Sequence, residues 1–426
     1  MNFLSKVAPA MRGRNYFIYF WSQLASYIGT GLQTVTLSAF VYEISGHSSF
    51  WVAMVVFLGL VPSTCLCPTL GGIIVDRYPI RGIMYVTQIA GAIQALILAY
   101  ISLHHPQMWQ IVLCTLLLSL INSVDSPARH RLMVDIVPHE HIPSAQALNG
   151  VLITSGQVVG GAFAGVVFVL SKGYAGAFIL NALSFVAVLA TLNMMALHES
   201  ERHDESPLNM LRIGARYIWG EKTILLQLTL VGIFASIGFS YRGILPAIAQ
   251  EIYQAESKVA IASIAGYIAA ALAAGSVLGG LFLSTHSEKL ETILKPLVLW
   301  GSLAMGVSWI MFPLAHTLVI GLPLMFVFGT GFSVCFSGLR STVKQYVKAT
   351  SPRMMGRVIG FDFMFFFGGV AIGNLVIGNV ADWLGISMTI QLIGILMVVM
   401  TLLLYVSRNR WQSMIPIPAS AASPVA

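Results

Sequence analysis

The sequence predicts an all-α membrane protein of twelve transmembrane helices arranged as two pseudo-symmetric six-helix bundles. Three observations carry that expectation. The 426 residues are 57% hydrophobic and only 9% charged, with a mean hydropathy of +0.82. Apolar runs of bilayer length recur along the chain between short polar breaks. One long polar stretch, 198–223, divides those runs into six and six.

Composition comes first. Soluble domains carry about 25% charged residues, and a single aqueous core stops growing near ~250–300 residues. Lipid is the natural solvent for this chain. A helix crossing the bilayer needs roughly 20 apolar residues. The runs fall near 16–41, 51–74, 82–103, 109–127, 146–170 and 174–196, then 224–248, 259–283, 292–314, 318–339, 357–381 and 386–407. They are much longer than barrel strands and show no alternation, which argues against a β-barrel. The expected layout is a first bundle at 1–197, a cytoplasmic linker at 198–223, a second bundle at 224–410 and a flexible cytoplasmic tail at 411–426. Lys6, Arg12 and Arg14 precede an apolar run that outlasts a signal-peptide core, so no cleavable leader is expected.

The chain carries a net charge of +7. Topology explains that excess without nucleic acid. With a cytoplasmic N-terminus, 20 of the 23 Lys and Arg fall on the inner side, the exceptions being Lys172, Arg242 and Lys258. Such asymmetry is the positive-inside pattern. It puts both termini in the cytoplasm, with anionic lipid headgroups as sufficient partners for the inner charges.

Other classes find little support. No G-x-x-x-x-G-K-[ST], H-E-x-x-H or G-x-S-x-G occurs, which argues against ATP-driven work and against an enzyme. Cys65, Cys67, Cys114 and Cys335 sit in apolar runs without enough neighbouring ligands for a metal, and read as packing residues. No metal or cofactor is expected. The polar segments are too small for the output domain of a sensor.

The stretch Gly71-Gly72-Ile73-Ile74-Val75-Asp76-Arg77-Tyr78-Pro79-Ile80-Arg81 follows the second run. It resembles the G-x-x-x-D-R-x-x-x-R signature of the major facilitator superfamily, with Ile80 where a basic residue is usual. Gly280–Lys289 is a degenerate second copy, with Ser284 in the acidic position. Further stretches are Asp125-Ser126-Pro127-Ala128-Arg129, Ala145–Asn149 leading into Gly156-Gln157-Val158-Val159-Gly160-Gly161, and Gly356-Arg357-Val358. Gln157 stands where Pro is frequent. Together these resemble the branch holding drug and macrolide efflux proteins and enterobactin-type siderophore exporters. The resemblance implies the major facilitator fold, alternating access, a monomer in a bacterial inner membrane, and export of a small amphiphilic molecule, most simply against protons. An importer or lipid flippase of the same fold is the alternative.

The resemblance also implies a cytoplasmic gate of Gly72, Asp76, Arg77, Arg81, Asp125, Arg129, Gly356, Arg357 and Asp362. In it the motif acids and arginines approach Asp125 and Arg129, and the start of the eleventh span faces Asp76. Asp125 is open to two roles, structural pairing or carrying a proton. The glycines of spans five and eight fit tight crossings or helix sliding. Candidate pathway residues are Gln23, Tyr27, Thr30, Gln33, Asn122, Gln157, Ser333 and Asn374, beside an aromatic run from Phe361 to Phe367. Arg242 reads as the only fixed cation within a span, meeting an anionic substrate group or snorkelling outward. With no deep acid evident, a neutral, zwitterionic or anionic cargo is favoured over a cationic one.

Overall fold

The computed structural model describes residues 9–67, 71–138, 141–195, 207–285 and 290–406. The first half contains α1 (Arg14–Ile44), α2 (Ser49–Leu66), α3 (Gly72–Arg77), α4 (Ile80–Leu103), α5 (Met108–Asp135), α6 (Ile142–Ser171) and α7 (Ala175–Met194). A connecting helix, α8 (Pro207–Gly220), precedes α9 (Lys222–Gly238), α10 (Leu245–Glu251) and α11 (Lys258–Thr285). The second half closes with α12 (Leu290–Met311), α13 (Leu318–Thr350), α14 (Met355–Leu384) and α15 (Ile386–Val406).

Among the described residues, nine helices are long and apolar enough to cross a membrane, and the bent pair α8–α9 makes a tenth candidate. The remaining two are α1 and α6, at 31 and 30 residues. Each reaches roughly 45 Å at 1.5 Å per residue. They pack along their length, and the fold is the twelve-helix arrangement that the hydropathy predicts. No strand occurs among the described residues.

The two halves repeat one packing scheme. In the first, α1 packs on α6, α4 on α7, α2 on α5 and α4 on α5; in the second, α9 packs on α14, α12 on α15, α11 on α13 and α12 on α13. Equivalent helices also make the two main joins, α2 with α14 and α6 with α11. Large apolar side chains remain on the outer surface, including Val86, Tyr100, Leu170, Trp300 and Val319. That is expected where lipid replaces water.

Several predicted spans differ in their ends. The fourth and tenth continue well past the apolar runs, to Asp135 and Thr350. Protein neighbours, and not lipid alone, solvate those last turns. The predicted seventh span, 224–248, is broken: α9 stops at Gly238, a 3-10 turn covers Ser240–Gly243, and α10 starts with Pro246 in its first turn. Proline at that place lacks only an N–H that would be unpaired anyway.

The chain ends of both halves lie at one end of the bundle, here the terminal end; the α1–α2 and α14–α15 connections mark the far end. Close approaches between the halves fall at the far end. A β-carbon on Gly378 of α14 would lie 2.4 Å from Ala53 Cβ of α2, and one on Gly266 of α11 would lie 2.3 Å from Gly161 O of α6. Toward the terminal end, β-carbons on Gly356, Gly360 and Gly368 of α14 would meet nothing within 4 Å. The halves touch at one end and part toward the other.

Candidate functional site

The first cluster sits in the terminal half of the first bundle. Asp125, 5% exposed, is ion-paired one turn away with Arg129 on α5, Nε to Oδ2 at 2.5 Å. Its Oδ1 accepts from Thr87 Oγ1 and Gln88 Nε2 of α4, both at 2.7 Å. Arg129 also donates through Nη1 to Gln23 Oε1 of α1 and through Nη2 to Gln88 Oε1 at 3.3 Å. Its guanidinium lies 5.7 Å from the Tyr27 ring centroid. One ion pair thus ties α1, α4 and α5. Every guanidinium nitrogen is used, which is what a buried charge needs in a low-dielectric site.

The second cluster is its counterpart in the second bundle. Arg340 of α13 donates through Nε to Asp362 Oδ2 of α14 at 2.5 Å, and its Nη2 lies at the same distance. The guanidinium carbon is 4.6 Å from the Phe363 centroid and 5.6 Å from that of Phe366. Asp362 is 2% exposed, and its Oδ1 has no hydrogen-bond partner. The reading of Arg242 as the only fixed cation within a span is therefore corrected: Arg129 and Arg340 both lie inside long helices, held by carboxylates. The backbone of Arg242 lies in the Ser240–Gly243 turn; its side chain lies outside the described residues.

The third cluster closes the far end. Asp382, in the last turn of α14, accepts from Ser48 Oγ at 2.6 Å, Ser49 N at 2.6 Å and Phe50 N at 3.1 Å. Those N–H groups open α2, where the free donors and the helix dipole favour an anion. Nearby, Lys258 at the start of α11 pairs with Glu43 of α1, which also accepts from Tyr174 Oη at 2.6 Å.

The other motif residues lie elsewhere. Gly72 opens α3, and Arg77 is exposed at its end. The side chain of Asp76 lies outside the described residues. Arg81 does not approach Asp125 or Arg129; its Nη2 donates to Leu192 O at 2.5 Å and Met195 O at 3.2 Å at the end of α7. Arg131 supplies the link expected of the motif arginines, donating to Val75 O at 2.5 Å. Arg357 donates to Met354 Sδ at 3.3 Å, and Gly356 is exposed. The facing expected between Asp76 and the start of α14 involves, on the α14 side, an Asp362 already paired with Arg340.

Of the predicted pathway residues, Gln23 and Tyr27 join the Asp125 cluster. Gln33 accepts from Asn181 Nδ2 at 2.7 Å within the first bundle. Asn374 is fully buried, accepting from Gly243 N at 3.0 Å and donating to Val370 O at 2.8 Å. Thr30 donates to Ser26 O at 2.9 Å. Asn122 is exposed and Gln157 half-buried, its backbone against Gly31. Ser333 lies against Gly279 of α11. Sequence reasoning missed Thr87, Gln88 and Arg340. The Thr-Gln dipeptide inside an apolar run was a usable signal; Arg340 was hidden by the end of the apolar run at 339. Among the described residues, no three His, Cys, Asp or Glu side chains gather to hold a metal.

The chain matches the family model described as transmembrane secretion effector, of the MFS type, over residues 4–422. It is 20% identical over 399 residues to the MFS-type transporter YfmI of Bacillus subtilis (strain 168), covering 91% of this chain and 94% of that one. Its fold is similar to that of the nucleoside transporter NupG, with TM-score 0.71 and 16% identity over 95% of this chain and 100% of that one. It is also similar to a bacterial homologue of the human lysosomal transporter Spinster in an inward-facing, occupied conformation. There the TM-score is 0.72 and identity is 14%, over 95% and 99% of the two chains.

Proposed function

The chain belongs to the transmembrane secretion effector family of major facilitator transporters, and from that premise we propose that it exports a small amphiphilic molecule, siderophore-like or antibiotic-like, by proton antiport. The observation that carries this reading is the asymmetry of closure. The far end is sealed by Asp382 on α2 and by the α6–α11 glycine contact, whereas the glycine positions Gly356, Gly360 and Gly368 of α14 meet nothing toward the terminal end. With the terminal end cytoplasmic, as the inner-side Lys and Arg favour, this is the cargo-loading state of an exporter.

In this reading 1–197 and 224–410 rock as two bodies in a bacterial inner membrane, joined by the cytoplasmic linker 198–223, with 411–426 as a cytoplasmic tail. The protein works as a monomer among lipids. The motif segment Gly72–Arg81 and the start of α14 at Gly356–Arg357 come together only when the terminal end closes. Asp125 carries the proton. Protonating its carboxyl removes the counter-charge of Arg129 and loosens the tie among α1, α4 and α5. Gln23, Tyr27, Asn122 and Gln157 contribute polar groups beside the path.

Inverted vesicles with an acid interior test this. A panel of siderophores, macrolides and dyes is offered to wild type and Asp125→Asn. Gradient-driven uptake of one class, lost in the variant, is the expected result. Gradient-driven uptake that survives the variant removes the proton role from Asp125. Absence of uptake with folded protein, and movement of the same panel in right-side-out vesicles, sinks export in favour of import.

A further inference from the structure

The two bundles hold their arginines at matching depths. Arg129 stands 21 residues after the first residue of α5, and Arg340 stands 22 after the first of α13. These helices are equivalents in the repeated packing scheme. Their surroundings differ in one respect that bears on ligands. Arg129 uses all three nitrogens on Asp125, Gln23 and Gln88. Arg340 uses one edge only: Nε and Nη2 converge on a single oxygen of Asp362. Among the described residues its Nη1 has no protein partner, and it is not one of the enclosed polar atoms. The Arg340 side chain retains 25% exposure.

The surface beside that free edge is aromatic and open. Phe363 is 43% exposed and stacks with Phe367 at an interplanar angle of 12°. On the same helix Gly360, one turn before Phe363, and Gly368, directly after Phe367, face empty space. A guanidinium stacked on rings but unsaturated at one edge offers a flat group both charge-assisted hydrogen bonds and a π surface.

We propose that Arg340, Phe363 and Phe367 form a binding subsite for an aromatic anion, a ring bearing a carboxylate or similar acidic group. This rests on the transport reading above and names the chemical class of cargo for that open space. Asp362 is the resident counter-ion. It neutralises Arg340 when no cargo is bound and holds the guanidinium plane for an incoming anion. Its Oδ1 has no hydrogen-bond partner, so Arg340 supplies the hydrogen bonds to this carboxylate, with the charge of Lys344 nearby. A cationic cargo is disfavoured, because the accessible edge of the pair is the positive one.

The test uses the purified full-length protein in nanodiscs and radiolabelled 1-naphthoate, with unlabelled 1-naphthamide and cyclohexanecarboxylate as competitors. Saturable 1-naphthoate binding is expected, with weak competition from the neutral amide and from the non-aromatic acid. Arg340→Gln is expected to weaken binding about tenfold or more, Phe363→Leu by a few-fold. Asp362→Asn is expected to retain or strengthen it. Phe363→Leu, at an exposed position, keeps the test decisive where Arg340→Gln fails to fold. Unchanged binding in folded Arg340→Gln, or equal competition by cyclohexanecarboxylate, overturns the proposal. Vesicle transport without 1-naphthoate binding sinks this subsite and leaves the exporter reading standing; binding without transport does the reverse.

Discussion

Asp382 Oδ1 accepts the backbone N–H of Ser49 at 2.6 Å, so a carboxylate from the last turn of α14 in one bundle caps the first turn of α2 in the other. Capping interactions of this kind are worth ~0.5–2 kcal/mol. Asp382→Ala is therefore expected to shift the population away from the far-end-sealed state by roughly two- to thirtyfold. Spin labels at the exposed His47 and Trp383 positions, read by pulsed dipolar spectroscopy, would report a longer-distance population. An unchanged distribution would show that the seal does not depend on this cap.

Glu43 and Lys258 join the same end but are far more exposed, the lysine side chain at 59%. Exposed pairs contribute ~0–1 kcal/mol and are screened by salt. Lys258→Gln is expected to change the same distance distribution less than Asp382→Ala does. A larger shift from the lysine variant would reverse the ranking of the two contacts.

Arg129 is the buried partner of a buried acid. Removing one member of such a pair typically costs ~3–5 kcal/mol, because the other charge is left in low dielectric. Arg129→Gln should lower the apparent melting temperature in detergent sharply. Adding Asp125→Asn to it should recover part of the loss. Equal melting of the single and double variants would mean that the charge on Asp125 is not what destabilises the protein.

Two glycines separate packing from openness. A β-carbon on Gly266 would stand 2.3 Å from Gly161 O, so Gly266→Ala must push α6 and α11 apart. A β-carbon on Gly360 meets nothing, and a helical Gly→Ala change there gains up to ~1 kcal/mol of helix propensity. Gly266→Ala is expected to open the far end in the distance measurement and Gly360→Ala to leave it sealed. The opposite ordering would place the contact between the halves elsewhere.

The fold was legible because lipid imposes a long-period signal: runs near twenty residues, inner-side Lys and Arg, and one polar divider. The cluster around Asp125 was half legible. Asp125, Arg129, Gln23 and Tyr27 stand out as polar groups in apolar runs, but Thr87 and Gln88 acquire meaning only when α4 is laid beside α5. Arg340 was missed because the end of an apolar run was read as the end of a helix. Arg81 was sent to the wrong partner because charge invites pairing with charge; two backbone carbonyls at the end of α7 satisfy it instead.

The far-end seal has a thermodynamic consequence. Its closest surfaces are Gly161, Gly165 and Gly266 with Ala53 and Ser263, side chains with little or no rotamer freedom. Burying a lysine or methionine would freeze up to ~2 kcal/mol of side-chain entropy, whereas glycine and alanine freeze none. Bringing these small-residue surfaces together orders almost nothing that was free before; the Lys258–Glu43 pair is the exception. The balance between sealed and open states is thus weakly temperature-dependent in its side-chain entropy. It is left to directed contacts such as Asp382 with Ser49.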